Sequence, residues 1–506
     1  MTAAAELLRP RRALRLALLH LDARRGRPAE NRQALLDLCD QAGSRGASVI
    51  CAPEMCLSGY VFDSRQAVEP HVETADGPTA QSLARTAARW GAYVCAGWAE
   101  RAQSGLFFNS AFAFGPDGRL LARRRKLRAE RRWAADGAAV QDDVFETPWG
   151  RVGLLVCADV WLGLLPRAAA LKGAALLLVP ANWPPTASFP LDLWRLRAWE
   201  NGLWLAVANR GGAEAGFDCT AAQSCVVGPD GQVSAVWPGR RQGGFHGGFQ
   251  DPAPSRDGQA PEGLLLADLP LDADGRLPFV DRSAGREPER WRRLAAGRPK
   301  NFSPPGRPRG RLVVHAAALD GQVPAFLELK SCRPGSLILL PRRSWRAEEL
   351  DFLAAWGRVR RTTFVGGSAD GSFFARGAVS AVRLCDGGWT ILDLGPARAL
   401  LTDWATLAQP ETAAAAVKAG VDLLLCPQTR LSAQDLFWAR LRAVDQLPVA
   451  VAAPEGAVVS LPPEGHGPGQ AVYGRAGRLV SLAADLDRRP LVEPRLDYGV
   501  IFGVQA

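Results

Sequence analysis

Several residue types are scarce in this sequence, and each shortage narrows what the protein can be. Only five histidines occur among 506 residues, which argues against a histidine-rich zinc site. No uninterrupted apolar stretch is long enough to cross a bilayer, and no small-residue cleavage site follows the arginines near the start. We therefore expect a soluble cytoplasmic protein with no membrane partner.

The cysteines and the net charge exclude further classes of protein. Ten cysteines are scattered without a repeated spacing, which favours free thiols in a reducing compartment. The net charge is +10, but no basic run is interleaved with stacking aromatic residues, so we expect no nucleic-acid partner. The chain is 47% hydrophobic and long enough for two domains, and we expect neither a metal nor another cofactor.

The segment around Cys157 carries the first indication of chemistry. An apolar run over 152–156 predicts a buried strand, residues 166–172 predict a helix, and residues 176–179 predict a second buried strand. Cys157 therefore stands where a strand leaves the sheet, with free backbone N–H groups nearby. Two interpretations remain open, a nucleophile or a small buried hydrophobic residue.

Two charged residues also follow predicted strands. Glu54 comes directly after an apolar strand, so its carboxylate must be exposed, paired or raised in pKa; alternatively it caps a helix. Lys126 ends a hairpin whose turn is formed by 115–118, and it is one of only five lysines among 61 basic residues. A lysine ammonium can approach a developing oxyanion as a point charge, although a solvated basic edge strand would also explain it.

Together these residues indicate nucleophilic catalysis. A thiol of ordinary pKa is mostly protonated at neutral pH and needs a base before it can attack. No histidine lies near Cys157 in the sequence, so Glu54 is the available base and Lys126 the available cation.

The first half of the chain resembles the carbon-nitrogen hydrolase (nitrilase/amidase) superfamily, whose signature is a Glu-Lys-Cys triad. The resemblance covers residues 15 to about 295. The matching motifs occur in the family's order: Pro53-Glu54 with Gly59-Tyr60, Arg125-Lys126, Val156-Cys157-Ala-Asp159-Val-Trp161, Pro180-Ala-Asn182-Trp183, Arg197-Ala-Trp-Glu200-Asn201 and Ala208-Asn209-Arg210-Gly211.

The resemblance implies an α-β-β-α sandwich and a role for each residue. Glu54 would take the thiol proton, and Cys157 would attack the substrate carbon to form a thioester. Lys126 and the N–H of Ala158 would hold the oxyanion, and Glu130 would be the second family glutamate, which positions substrate. Water activated by Glu54 would then release the acid.

Departures from the family's motifs limit the range of possible substrates. The Cys-Ala-Asp sequence differs from the Cys-Trp-Glu of true nitrilases, so we expect a small-molecule amide or carbamoyl substrate rather than a nitrile. Residues 162–164 replace the family's usual Phe-Pro-Glu, which predicts that either the pocket wall or the subunit contact there is altered. Residues 127–128 replace the usual His-Leu, which predicts a shift of the loop that carries Glu130. Four further residues are candidates for substrate binding, although core packing explains the tryptophans equally well: Trp133, Trp161, Asn182 and Trp183.

The second half repeats the order of the first. Residues 336–342 repeat 48–54 with Arg342 in place of the base, and residues 400–410 repeat 156–166 with Leu401 in place of the nucleophile. We expect an α/β protein with two nitrilase-like α-β-β-α sandwich domains in tandem. The predicted parts are a catalytic domain over 1–296, a Pro/Gly-rich linker over 297–310, and a degenerate domain over 311–506 that lacks the triad. Cys426 lies in an apolar strand and is expected to be core.

These patterns predict a hydrolase of a non-peptide C–N bond. Two alternatives remain, an N-acyltransferase that uses the same thioester and a non-catalytic binding protein. The degenerate half is expected to pair with the catalytic half as an intramolecular pseudo-dimer, with a further homo-oligomer possible.

Overall fold

A computed structural model describes most of the chain. The described residues are 13–139, 141–185, 189–237, 263–282, 311–318, 332–333, 335–368, 373–377, 382–384, 389–394, 397–445, 447–462, 470–475 and 479–485. Those up to 282 belong to one compact unit and those from 311 to a second. The predicted linker over 297–310 lies outside the described residues.

The first unit alternates strands and helices. Its described strands are β1 (Ala13–Leu19), β2 (Val49–Cys51), β3 (Tyr93–Arg101), β4 (Phe107–Phe114), β5 (Leu120–Arg125), β6 (Val144–Thr147), β7 (Gly150–Leu154), β8 (Ala174–Ala181), β9 (Trp204–Asn209), β10 (Ala213–Glu214), β11 (Phe217–Asp218), β12 (Cys225–Val227), β13 (Val233–Val236) and β14 (Leu264–Pro270). Its described helices are α1 (Pro28–Ser44), α2 (Arg65–Val68), α3 (Pro78–Trp90), α4 (Leu164–Leu171) and α5 (Phe189–Asn201), with 3₁₀ turns over Glu69–His71 and Cys157–Trp161.

Two six-stranded sheets form the centre of the first unit. Their orders are β14-β1-β2-β3-β4-β5 and β13-β12-β9-β8-β7-β6, and strands β2 and β3 of the first sheet contact β8 of the second. Helices α1 and α3 pack on the first sheet around Leu35, Leu83 and Trp98, while α4 and α5 pack on β8 and β9. The first unit is therefore an α-β-β-α sandwich, as the resemblance implied.

The secondary structure predicted around Cys157 is confirmed, with small shifts in its bounds. The strand predicted over 152–156 is β7, the helix over 166–172 is α4, and the strand over 176–179 is the longer β8. Helix α4 begins before Pro166 because proline fits the first turn of a helix, where its missing N–H is not needed. The parallel strands β7 and β8 both end towards the site described below.

The second unit is built in the same way. Its described strands are β15 (Arg311–Ala317), β16 (Leu337–Arg343), β17 (Thr363–Ser368), β18 (Phe373–Gly377), β19 (Val382–Leu384), β20 (Trp389–Asp393), β21 (Arg398–Thr402), β22 (Leu423–Pro427), β23 (Val449–Ala452), β24 (Gly456–Ser460), β25 (Ala471–Arg475) and β26 (Leu479–Asp485). Its described helices are α6 (Ala347–Arg360), α7 (Trp404–Leu407), α8 (Pro410–Lys418) and α9 (Ala433–Leu441), with a 3₁₀ turn over Arg442–Asp445.

The sheets of the second unit have the strand order of the first. Their orders are β26-β15-β16-β17-β18-β19 and β25-β24-β23-β22-β21-β20. The sense of pairing also agrees: the last strand runs antiparallel to the first in each unit, and β15, β16 and β17 are parallel as β1, β2 and β3 are. No helix in the described part of the chain has both the length and the apolar character needed to span a membrane.

Candidate active site

Glu54 is held in a tight turn that directly follows β2. The next residue, Met55, has a φ of 50°, a left-handed conformation that side chains other than glycine rarely adopt. Gly97 of β3 lies against this turn, and a Cβ at Gly97 would stand 2.9 Å from the Glu54 Cα. Glycine at position 97 therefore lets the turn approach the neighbouring strand and places the carboxylate inside the protein.

Cys157 occupies a second strained turn, at the end of β7. Val156 is extended, Cys157 has a φ of 46°, and the 3₁₀ turn over Cys157–Trp161 begins at once. Left-handed conformations cost non-glycine residues about 1 to 2 kcal/mol, and such strain is often stored at functional sites. Ala158 is the second residue of this 3₁₀ turn. The first N–H groups of a helix have no partner within the helix, so the Ala158 N–H can donate to a ligand.

Lys126 follows the edge strand β5 but does not lie on its solvated face. Its backbone N–H donates to the Asn109 carbonyl at 2.8 Å, and its own carbonyl accepts from Gly137 N at 2.8 Å. A Cβ at Gly137 would lie 2.3 Å from the Arg125 carbonyl oxygen, so glycine allows this close approach. The Lys126 side chain is only 2% exposed. A solvated basic edge therefore does not explain this residue.

The buried ammonium of Lys126 joins two carboxylates. Its Nζ donates to Glu54 Oε1 at 2.8 Å and to Glu130 Oε1 at 2.5 Å. Tyr60 donates its hydroxyl to the same Glu130 oxygen at 2.7 Å. The Glu54 side chain is fully buried and the Glu130 side chain is 11% exposed. The structure thus brings Glu54, Lys126 and Glu130 into direct contact.

Cys157 is buried beside the same cluster. Burial raises the pKa of Cys157 well above its ordinary value, and the negative charge of Glu54 raises it further. The Lys126 ammonium and the backbone N–H of Asn182 act in the opposite direction on this pKa. The resting thiol is therefore protonated at neutral pH and requires a base to become a nucleophile.

The two carboxyl groups have opposite pKa shifts. Burial raises the pKa of Glu54 above its ordinary value, and the neighbouring charge of Glu130 raises it further. The Lys126 ammonium acts in the opposite direction on this pKa. Burial also acts to raise the pKa of Glu130, but Lys126 and the hydrogen bonds from Asn109 and Tyr60 lower it below the ordinary value. Neighbouring carboxyls with divergent pKa values are suited to different roles, with the raised one exchanging protons.

Asn109 is a site residue that the sequence analysis missed. Its side-chain Nδ2 donates to Glu54 Oε1 at 2.7 Å and to Glu130 Oε2 at 2.9 Å, so that one amide orients both carboxylates. Asn109 lies inside β4, and only its position opposite the Glu54 turn gives it this role. The available signal was an asparagine within the largely apolar sequence Phe107–Phe114, because a buried polar side chain needs hydrogen-bond partners.

Asn182 also contacts Glu54. Its backbone N–H donates to Glu54 Oε2 at 2.9 Å, and its side-chain Nδ2 donates to the Glu54 carbonyl at 2.9 Å. Asn182 was predicted to bind substrate, and the structure places these donors on the catalytic carboxylate candidate itself.

The three candidate tryptophans lie in different surroundings. Trp161 and Trp183 stack with ring centroids 5.7 Å apart and an interplanar angle of 5°. Trp133 is buried in an apolar cluster with Met55 and Phe62, which agrees with the core-packing interpretation. Of these three tryptophans, Trp161 belongs to the 3₁₀ turn that begins at Cys157, and it stacks on Trp183.

Substitution of Asn109 is the first testable consequence of this geometry. Asn109→Leu should lower kcat/KM for an amide by about 10- to 100-fold, because hydrogen bonds to charged groups contribute about 1.5 to 3 kcal/mol. The acidic limb of the pH profile should move to higher pH, since both lost bonds lower a carboxyl pKa. Ser110→Ala is the matched control, because Ser110 is buried on the same strand but donates to Glu100 at 2.6 Å. An unshifted profile in Asn109→Leu would contradict the assignment.

The described residues contain no group of three or more His, Cys, Asp or Glu side chains placed to hold a metal ion. The nine cysteines within the described residues are free and buried, which agrees with the expectation of free thiols.

Comparison with known proteins identifies the family. Residues 15–243 match the family described as carbon-nitrogen hydrolase. The "Omega-amidase NIT2" of Bos taurus is 30% identical over 236 residues, covering 44% of this chain and 83% of the relative. The "Hydrolase in pqqF 5'region" of Pseudomonas protegens is 32% identical over 230 residues, covering 44% of this chain and 79% of the relative. A solved amidase from Nesterenkonia sp. is 27% identical with a TM-score of 0.42, covering 52% of this chain and 93% of that chain.

The chain belongs to the carbon-nitrogen hydrolase family, and it is an amidase-like hydrolase of C–N bonds. The matched residues lie within the first unit, which has the nitrilase-like α/β fold.

Proposed function

We propose that the first unit hydrolyses an amide or carbamoyl group of a small molecule through a thioester on Cys157. One observation carries this proposal: Cys157, Glu54 and Lys126 are buried together, and Glu54 is close enough to both others to alter the pKa of each. A protonated thiol, a carboxylate with a raised pKa and a buried ammonium are the groups that this chemistry requires.

The first half of the reaction transfers one proton twice. Glu54 takes the thiol proton as the sulfur of Cys157 attacks the carbonyl carbon, and a tetrahedral intermediate forms. Glu54 then gives the proton to the leaving nitrogen, the C–N bond breaks, and ammonia or an amine departs. The acyl group remains on Cys157 as a thioester, and Glu54 is a carboxylate again.

The second half repeats these steps with water. Glu54 takes a proton from a water molecule, whose oxygen attacks the thioester carbon, and the C–S bond breaks. The thiolate recovers the proton from Glu54, and the product leaves as a carboxylic acid, or as carbamic acid from a carbamoyl substrate. One water is consumed in each cycle.

Lys126 and the N–H of Ala158 are the proposed donors to the oxyanion in both halves. The pKa of Lys126 is well above its ordinary value because Glu130 and Glu54 outweigh the effect of burial, so the ammonium stays charged. A fixed charge in a buried site stabilises a developing oxyanion more strongly than it would in water. Glu130 in turn holds the Lys126 ammonium through its 2.5 Å contact.

The substrate is proposed to be an amide, with a carbamoyl compound as the second possibility. The name of the Bos taurus relative, an omega-amidase, supports an amide. The stacked Trp161 and Trp183 favour a substrate with an apolar or planar part, because an aromatic face packs well against such groups.

Hydrolysis and acyl transfer share the thioester and differ only in what captures it. Incubation with a panel of small amides, with and without hydroxylamine, separates them by product analysis. We expect the free acid to be the main product without hydroxylamine, and a hydroxamate to form in competition when it is added. If no free acid forms and the only product is the one captured by the added nucleophile, the protein is instead an N-acyltransferase. If no product forms in either case, a binding protein is favoured.

The second unit is proposed to be a copy of the first that lacks the triad. Its strand order and pairing sense support this proposal. The sequence repeat aligns Arg342 with Glu54 and Leu401 with Cys157, and Arg342 and Leu401 lie on β16 and β21, the strands that correspond to β2 and β7. Cys426 is fully buried in β22, and burial raises its pKa, which supports a packing role. The intramolecular pseudo-dimer and any further homo-oligomer stay predictions, as does the cytoplasmic location.

A further inference from the structure

A second set of buried charges lies beside the proposed site and takes no part in the mechanism described above. Arg124, whose side chain is 1% exposed, donates through Nε to Asp159 Oδ2 at 3.2 Å and through Nη1 to Asp143 Oδ2 at 2.8 Å. Lys172 donates to the other Asp143 oxygen at 2.6 Å. Two cations thus balance two carboxylates in a continuous chain.

Strand alternation explains why Arg124 points inward. Successive side chains of β5 face opposite sides, and Arg123 and Arg125 both reach Glu100 on one side. Arg124 is therefore directed to the other side, towards the second sheet and Asp159. An arginine buried so deeply needs its charge compensated, which the two aspartates provide.

Asp159 connects the two catalytic segments. It stands two residues after Cys157 in the 3₁₀ turn, and its Oδ1 accepts the backbone N–H of Leu127 at 3.0 Å. Leu127 directly follows Lys126. One carboxylate therefore fixes the distance between the turn that carries the thiol and the loop that carries the ammonium.

Asp143 binds the segments on either side of the Cys157 turn, β7 before it and the end of α4 after it. Its carbonyl accepts from Leu154 N of β7 at 2.8 Å, and its side chain binds Lys172, the residue that directly follows α4. Arg124 thus contacts both carboxylates that hold the strand, turn and helix around Cys157.

We propose that Arg124 is a positioning residue that acts through Asp159 to set the placement of Cys157 relative to Lys126. This inference rests on the proposed function, in which both groups act on one substrate carbon. Removal of the Arg124 side chain takes away the cation that is hydrogen-bonded to Asp159, so the carboxylate that joins the turn to the loop is held less firmly. Misplacement of reacting groups by about 1 Å can cost about 100-fold in rate.

The test compares five variants of the full chain: Arg124→Met, Arg124→Lys, Asp159→Asn, the double variant that combines Arg124→Met with Asp159→Asn, and Arg123→Met as the matched control. The concentration of acylatable Cys157 is titrated first, so that kcat is expressed per active thiol and a loss of folded protein is not counted. We expect Arg124→Met to lower this kcat by about 10- to 100-fold with little change in KM. Arg123→Met should keep the original kcat, because Arg123 is 43% exposed on the opposite side of β5.

The double variant distinguishes positioning from general destabilisation. Asparagine at 159 can still accept the Leu127 N–H and carries no charge that needs Arg124. We therefore expect the double variant to be no slower than Arg124→Met alone, and Arg124→Lys to recover part of the loss. Additive losses in the double variant, or an unchanged kcat per active thiol in Arg124→Met, would overturn the proposal.

A second readout does not depend on amide turnover. The rate of alkylation of Cys157 by iodoacetamide reports on the placement of the thiol and its base, and it should fall in Arg124→Met but not in Arg123→Met. If the unaltered protein hydrolyses no amide, the proposed function fails while these alkylation rates still decide the positioning role. Equal alkylation rates in the two variants would contradict it.

Discussion

Replacement of Cys157 by alanine is expected to lower amide turnover by about 10⁴-fold or more, because removal of a covalent nucleophile removes the reaction path itself. The fold should persist, since alanine is smaller than cysteine and position 157 lies in a short turn rather than in the middle of a sheet. Steady-state hydrolysis of the best amide in the panel, together with circular dichroism of both proteins, provides the measurement.

Cys426→Ala is the matched control for this prediction. Cys426 is also buried and also has a raised pKa, but it lies in the second unit. We expect this variant to retain full turnover. Substantial activity in Cys157→Ala, or a comparable loss in Cys426→Ala, would show that the nucleophile has been assigned to the wrong thiol.

Replacement of Lys126 by methionine is the second change with a large expected effect. The variant loses a proposed oxyanion donor, and removal of one such donor typically costs about 100- to 1000-fold in kcat. Lys126→Arg should not restore the rate, because a planar guanidinium does not occupy the space of a compact ammonium held between two carboxylates. Measurement of kcat for the two variants checks both statements.

The same variant should also change how stability depends on pH. In the native protein the pKa of Glu130 is lowered, so its contribution is present above the unfolded pKa and is lost as the pH falls through the folded pKa. Without the Lys126 charge this folded pKa rises above the unfolded value, and the contribution is lost as the pH increases through it. We therefore expect a deficit of about 3 to 5 kcal/mol in unfolding free energy at neutral pH, and a smaller one near pH 4.

Urea denaturation of both proteins at the two pH values measures this difference. A deficit that is the same at both values would contradict the account, because it would mean that the two buried carboxylates do not depend on Lys126 for their charge. Lys418→Met is the control for the loss of a lysine charge elsewhere, since Lys418 lies in the last turn of α8 in the second unit, and it should not show this difference between the two pH values.

The catalytic candidates could be found from the sequence because each follows a predicted strand. Cys157 and Glu54 lie in turns after apolar runs, where parallel strands bring their ends to one edge, and Lys126 follows a hairpin with a recognisable turn. These predictions needed only the position of each residue directly after a strand, which the sequence pattern shows.

The supporting residues could not be found in this way. Asn109 and Arg124 lie inside strands, and their roles depend on which side of the strand faces the other sheet. The contacts of Asn182 with Glu54 were missed for a similar reason, because a motif match does not say which groups an amide touches, and its role in substrate binding stays a prediction. These contacts join residues far apart in the sequence, and only the packed sheets bring them together.

The thioester on Cys157 is the central claim, and mass spectrometry of the protein quenched during amide turnover tests it most directly. The account predicts a mass increase equal to the acyl group of the substrate, located on the peptide that contains Cys157 and absent from the Cys157→Ala variant. Turnover without any adduct on that peptide, or with the adduct on another cysteine, would contradict it.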